Sequence, residues 1–313
     1  MSLTFVIDAL VTIVGVTTPI LLAATGELVA EKSGVINLGV EGMMLIGAVT
    51  AFAVAFDFGP DLGDLAPWIA VVCAALAGAA SSMLFAVLVL TLSSNQVATG
   101  LALTIFGIGL SSLIGAGYVG MTVPSFDTPF PDGLANDPIW RVIFGYSPLV
   151  YLALIMVLLV GWFLNRTRGG LIVRAVGEND ISAHSIGYPV IAIRYAAIAF
   201  GGALAGIAGA DFSMVITTMW SQQMTAGRGW IALALVVFAG WRAGRLLVGA
   251  YFFGVLMTLE LYAKASGFTF LPSQFWAAMP YVMAVAVLAI MSARAANRSE
   301  APACLGRPFL PST

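Results

Sequence analysis

The sequence predicts an all-α membrane protein, a polytopic helical bundle of about nine transmembrane spans with one further helix outside the bilayer. Three observations predict it. Hydrophobic residues fill 60% of the 313 positions and charged residues only 9%, where a soluble domain carries roughly a quarter; mean hydropathy is +1.01. The apolar runs are about 20 residues long, the length a helix needs to cross a hydrocarbon core of about 30 Å. They also lack the two-residue alternation of barrel strands, and lipid accepts only helices and closed barrels as spanning elements.

Taken in order, the apolar runs place spans at approximately 3–25, 34–56, 67–90, 96–118, 146–164, 191–211, 229–241, 246–263 and 275–293. The segment Met1 to Leu10 has no positive stretch and carries Asp8, so it reads as the start of a retained span and not as a cleaved signal. The seventh run is short for a crossing and is expected to be tilted, broken or extended by its neighbours. The loop 119–145 is rich in Pro, Gly and Asp and reads as irregular with a short helix. The loop 165–190 is helix-compatible between Arg174 and Gly187, with Gly169-Gly170 and Pro189 as its boundaries. The whole chain, 1–313, reads as one transmembrane domain with this loop and a tail from about 294 as its soluble parts.

Basic residues set the orientation, because Lys and Arg collect in cytoplasmic loops. With the N-terminus outside, Lys32, Arg166, Arg168, Arg174, Arg194, Arg242, Arg245, Arg294, Arg298 and Arg307 fall inside, and Arg141, Arg228 and Lys264 outside. The outer loops are acidic instead, with Asp57, Asp61, Asp64, Asp127, Asp132 and Asp137. The expectation is a multi-pass membrane protein with its C-terminus in the cytoplasm.

Polar groups within spans are costly and tend to face a cavity or the bundle interior. The richest set follows the first span, where Asn37 and Glu41, four residues apart, would share one face of a helix. They either line a polar pathway or lock helix ends by hydrogen bonds near the inner surface. Asn95 and Gln96 open the fourth span: one of them caps it, or their amides bond a polar solute. Gln222 and Gln223, after the sixth span, are further candidates for solute contact. Asp211 and Glu260 fall near outer span ends and receive no role. Gly201 to Gly209 places small residues four apart, which lets helix backbones approach closely.

Several chemistries find no support. No nucleophile–base pair or cluster of metal ligands accompanies the single His184, which reads as a surface or interface residue. No basic patch of nucleic-acid type is present, and no cofactor is implied. Cys73 lies in an apolar run and Cys304 in the tail, so a disulfide between them is not expected. Gly26 to Ser33 reads G-E-L-V-A-E-K-S, close to a phosphate-binding loop, but Glu31 replaces the second glycine and would repel phosphate. Any ATPase site therefore belongs to another chain.

The segment Glu31-Lys32-Ser33-Gly34-Val35-Ile36-Asn37-Leu38-Gly39-Val40-Glu41-Gly42-Met43-Met44 resembles the opening signature of bacterial ABC importer permeases for nucleosides and simple sugars, within the ribose-like and branched-chain amino acid permease superfamily. Gly169 to Asn179, continuing to Gly187, resembles the family's coupling loop. Gly201 to Ala210 resembles its glycine-rich helix, and Ala301 to Pro308 the tail of its nucleoside branch. The resemblance runs over essentially the whole chain. It implies pairing with a second permease chain as a heterodimer, two cytosolic ATPase subunits below, and a periplasmic or lipid-anchored binding protein that delivers a nucleoside or sugar.

Carried over by position, the resemblance assigns ATPase coupling to Arg174, Gly177, Glu178, Asn179, Ala183 and Gly187. Asp180 stands where a proline is common and Ser182 where an alanine is common, and Trp241 to Arg245 departs from the family's usual turn. The alternative reading is a secondary, ion-coupled transporter. That class would carry buried ionisable groups in mid-span or paired broken helices, and Glu41, read as lying toward one membrane edge, is the only candidate of note.

Overall fold

The computed structural model describes residues 3–265 apart from 127, 136, 138 and 139, scattered positions between 275 and 289, and residues 301–309. Seven helical stretches are long and apolar enough to cross a membrane: Phe5–Lys32, Val40–Asp57, Gly59–Thr91, Gln96–Tyr118, Pro148–Arg166, Val190–Ile216 and Ala243–Tyr262. We label the helices α1 (Leu3–Lys32), α2 (Val40–Asp57), α3 (Ala66–Ala86), α4 (Gln96–Gly115), α5 (Pro148–Arg166), α6 (Arg168–Glu178), α7 (Asp180–Ser185), α8 (Val190–Asp211), α9 (Arg228–Phe238) and α10 (Ala243–Ala265). Two of the nine predicted spans are therefore not among these seven. The seventh is α9, whose 11 residues reach only about 16 Å, half of a bilayer core. The ninth, 275–293, lies mostly outside the described residues.

The bundle is packed through glycine. Gly201, Gly202, Gly206 and Gly209 stud α8, which lies at the centre against α1, α2 and α3. Gly26 of α1 meets Gly201, Gly47 of α2 meets Gly206, Gly78 of α3 meets Gly202 and Gly206, and Gly209 meets Met44. A methyl group at any of these positions except Gly201 would collide with backbone of the facing helix. In lipid the hydrophobic effect does not drive helices together, so the gain comes from this close backbone contact.

Lys32, Asn165, Arg174 and Arg242 gather around one cavity of about 490 Å³, which marks a basic end of the bundle. Asp57 and Asp64 lie at the opposite end, where α2 finishes and α3 begins. There the 119–145 segment forms short helical turns at Asp132–Ala135 and Arg141–Phe144. It also pairs Val119 with Trp220 and Thr122 with Met219 through isolated bridges.

Candidate functional site

The first signature segment is built around a helix stop. α1 ends with Gly34 in the left-handed region at φ +94°. The Gly34 N–H donates to the Glu31 carbonyl at 2.9 Å and the Val35 N–H to the Ala30 carbonyl at 3.3 Å, the paired bonds of a glycine-terminated helix. Residues 35–39 are non-helical and run up into the bundle. The Ile36 N–H donates to Gln96 Oε1 at 2.9 Å, and Thr104 Oγ1 donates to the Leu38 carbonyl at 2.9 Å. Gln96 and Thr104 are eight residues apart on α4, so this segment rises about 12 Å before α2 begins.

That geometry corrects the shared helical face expected for Asn37 and Glu41. Asn37 precedes α2, and its Oδ1 accepts from the Gly39 N–H at 2.9 Å, a local turn that competes with helix. Glu41 is in the first turn of α2 but reaches across to α9. Its Oε1 accepts from Thr225 Oγ1 at 2.6 Å and the Gly227 N–H at 2.8 Å, and its Oε2 from the Gly229 N–H at 2.6 Å. Glu41 thus supplies the acceptors that the free N–H groups at the start of α9 require, where a negative charge also meets the positive end of the helix dipole. It lies well inside the bundle and not at the membrane edge, because Gly42 packs against Leu103, Thr104 and Gly107 in the body of α4.

The expected seventh span is consequently a broken one. From Thr217 to Gly227 the chain is irregular, with Thr218, Gln223, Ala226 and Gly227 at positive φ. α9 then descends from the level of Glu41 to the basic end, where Trp241 Nε1 donates to Glu31 Oε2 at 2.6 Å. Arg228, expected with the outer residues, sits at the start of α9 with its guanidinium carbon 4.8 Å from the centre of the Phe212 ring. Asp211 also differs from expectation. It is buried with no hydrogen-bond partner for either oxygen among the described residues, because the helix continues for another turn through Phe212–Ile216 and carries it away from the exposed end. Glu27 on α1 is buried in the same way.

Asn95 is the N-cap of α4, accepting from the Ala98 N–H at 3.0 Å. Gln96, one residue later, is buried; besides Ile36 it reaches the Arg307 carbonyl at 3.5 Å.

At the basic end the 165–190 loop holds two helices and not one. Gly169 and Gly170 do not bound a helix; they lie inside the first turn of α6, whose N-cap Thr167 accepts from the Gly170 N–H at 3.0 Å. Gly170 is there because its Cα packs on the backbone of Phe163 and Leu164 at the end of α5. The break falls at Asn179, which caps α7 by accepting from the Ser182 N–H at 2.9 Å. Gly187, at φ +94°, ends α7: the Gly187 N–H donates to the His184 carbonyl and the Tyr188 N–H to the Ala183 carbonyl.

The remaining coupling candidates serve this loop's anchorage. Ala183 is buried with Val176, Val190 and Phe309. Arg174 lines the basic cavity. Gly177 packs on Lys32 and Gly34, and its carbonyl accepts from the Cys304 N–H at 2.9 Å. Glu178 Oε2 accepts from the Ala303 N–H at 3.2 Å.

Two partners were not foreseen. Buried Arg194 of α8 pairs with Asp180 at 3.1 Å and donates to the Ser33 carbonyl at 3.1 Å, tying α7 to the end of α1. The Gly306 N–H donates to the Gly34 carbonyl at 3.1 Å, so the tail closes the same junction. Ile181 and Ile186 remain exposed at 65% and 72% on the outer side of α7.

Among known proteins, the chain is 42% identical over 253 residues to the putative glucose ABC transporter permease protein TsgC13 of Haloferax volcanii, covering 79% of this chain and 75% of that one. It is 30% identical over 302 residues, 93% of each chain, to the guanosine ABC transporter permease protein NupQ of Bacillus subtilis. It also matches NupP, a guanosine ABC transporter permease protein of the same organism, at 26% over 198 residues, 62% of this chain and 56% of that one. No solved structure matches it. The model of the family described as branched-chain amino acid transport system / permease component matches residues 9–291, nearly the whole of a chain whose helices are those of a multi-pass membrane protein, and the chain belongs to that family.

Proposed function

We propose that this permease imports nucleosides as one half of an ATP-binding-cassette importer. The match to NupQ, which covers 93% of both chains, carries the nucleoside reading. The family membership supports an ABC permease over the ion-coupled alternative, even though the broken span at α9 was one of the features expected of the latter. A second reading, import of a simple sugar, is favoured by the higher identity to TsgC13.

In this proposal the chain spans the inner membrane with the basic end in the cytoplasm, by the positive-inside rule, and pairs with a second permease. That NupP and NupQ are both named as guanosine ABC transporter permeases supports a heterodimer. A binding protein delivers solute at the acidic end. A cytosolic ATPase docks on α6 and α7, the only soluble helices at the basic end among the described residues, where Ile181 and Ile186 offer an apolar face. Movement of that ATPase is transmitted through Arg194 and Gly177 to the end of α1, so that nucleotide biases one of two arrangements of the bundle. The chain itself performs no bond chemistry. In this proposal Asn37, Glu41, Asn95 and Gln96 frame the solute pathway, each through the structural hydrogen bonds described above.

Uptake of labelled guanosine and labelled glucose by cells with and without this gene tests the reading. Gene-dependent guanosine uptake, competed by nucleosides and not by glucose, is expected. Gene-dependent glucose uptake alone would replace the substrate, and ATP-independent uptake of either would remove the ABC reading.

A further inference from the structure

We propose that the irregular segment from Thr217 to Gly227 lines the solute pathway part-way through the membrane, with Gln222 and Gln223 as its hydrogen-bonding groups. The inference rests on the importer reading above and goes beyond it by naming a contact surface.

The argument begins with depth. Trp220 is buried against Phe52, with ring centroids 6.2 Å apart, and Thr225 is bonded to Glu41. The Trp220 backbone pairs with Val119 and Met121 at the acidic end of the bundle, whereas Glu41 lies well inside it, so the segment descends from that end into the membrane. Gln222 and Gln223 fall between these two anchors, are exposed, and make no side-chain hydrogen bond to a described residue. Irregular backbone at such depth is not compatible with lipid; it occurs only where it is covered by protein or lines water. Unpaired amides add the same requirement, since an amide without a hydrogen-bond partner is costly to place in hydrocarbon.

The rest of the segment is held in place. Glu41 anchors its lower end through three hydrogen bonds, and Trp220 and the bridges to Val119 and Thr122 anchor the upper end. Between those anchors Gln223 and Ala226 keep positive φ, a conformation that non-glycine residues adopt only when their surroundings impose it. A fixed, polar, exposed segment ending at a half-helix N-terminus is suited to reading a solute rich in hydroxyls and ring nitrogens. A primary amide both donates and accepts, which matches a nucleoside or sugar and offers nothing to an apolar solute.

The test uses the assembled importer in cells, with Gln222→Cys and Gln223→Cys introduced singly into a chain carrying Cys73→Ser and Cys304→Ser. The expected result is modification of both thiols by a membrane-impermeant methanethiosulfonate, slowed at least fivefold by saturating guanosine, while Ile105→Cys on the outward face of α4 (72% exposed) stays unmodified. Gln223→Ala should raise the half-saturating guanosine concentration about fivefold, the loss of one neutral hydrogen bond. Absence of modification at both positions would overturn the proposal, as would modification that guanosine leaves unchanged in cells that import guanosine. If the cells import no guanosine, the substrate reading fails, and access of the impermeant reagent still decides whether the segment faces water.

Discussion

Glu41 shows how much one side chain can organise in a low-dielectric interior. Its two oxygens take three donors from Thr225, Gly227 and Gly229, and hydrogen bonds to a charged group are worth more than neutral ones, about 1.5–3 kcal/mol each. Removing the acceptor leaves the buried Gly229 N–H and the half-buried Gly227 N–H without their partner. Glu41→Ala should therefore lower the unfolding free energy in detergent by about 3 kcal/mol, and Glu41→Gln by less, because the amide retains one accepting oxygen. A thermal-shift measurement checks this, and equal midpoints for Glu41→Ala and the parent would show that α9 does not depend on this side chain. Arg194 has the same character: one guanidinium holds Asp180 of α7 and the Ser33 carbonyl at the end of α1. Neither role was visible in the sequence. Glu41 was read with Asn37, its neighbour along the chain, whereas its partners are 184 to 188 residues away.

At the scale of elements, the proposed importer gives α7 the task of transmitting movement from the ATPase. It is only six residues long, is capped at one end by Asn179 and stopped at the other by Gly187, and is held by Ala183 beneath it. Ile181 on this helix and Ile186 just past its end are both exposed. Ile186→Asp is therefore expected to leave the protein inserted and assembled while uptake falls at least tenfold and solute no longer stimulates ATP hydrolysis; an apolar anchor at the centre of an interface commonly carries more than 2 kcal/mol. Retained stimulation in reconstituted vesicles would move the docking surface elsewhere. That the 165–190 loop holds helix was legible in the sequence. Its division into two helices was not, because Gly169-Gly170 looks like a boundary in the sequence and serves close packing on α5 in the fold.

For the whole molecule, the tail is the unexpected closure. Residues 301–309 bond Gly34, Gly177, Glu178 and Gln96, and Phe309 fills the small cluster of Val176, Ala183 and Val190. The chain's last described segment thus joins the first helix stop, the coupling loop and the start of α4. Phe309→Ala should loosen this joint by about 3 kcal/mol, as for other buried phenylalanines. It would appear as much faster proteolysis of the tail in membranes with the spans left intact. Tail cleavage at the parental rate would show that the cluster does not hold it.

Hydropathy alone determined the helical membrane class and the position of most spans, since lipid leaves a backbone no other way to satisfy its polar groups. It also revealed the glycine stripe of α8, whose four-residue spacing has few other uses in a membrane helix. Tertiary structure decided where the helices break. The rise of residues 35–39, the half-span of α9 and the seating of the tail all depend on donors and acceptors from segments far apart in the chain, and no local pattern encodes such partners. Apolar composition reports the solvent a segment prefers; the placement of a buried polar group is decided by which distant group can satisfy it.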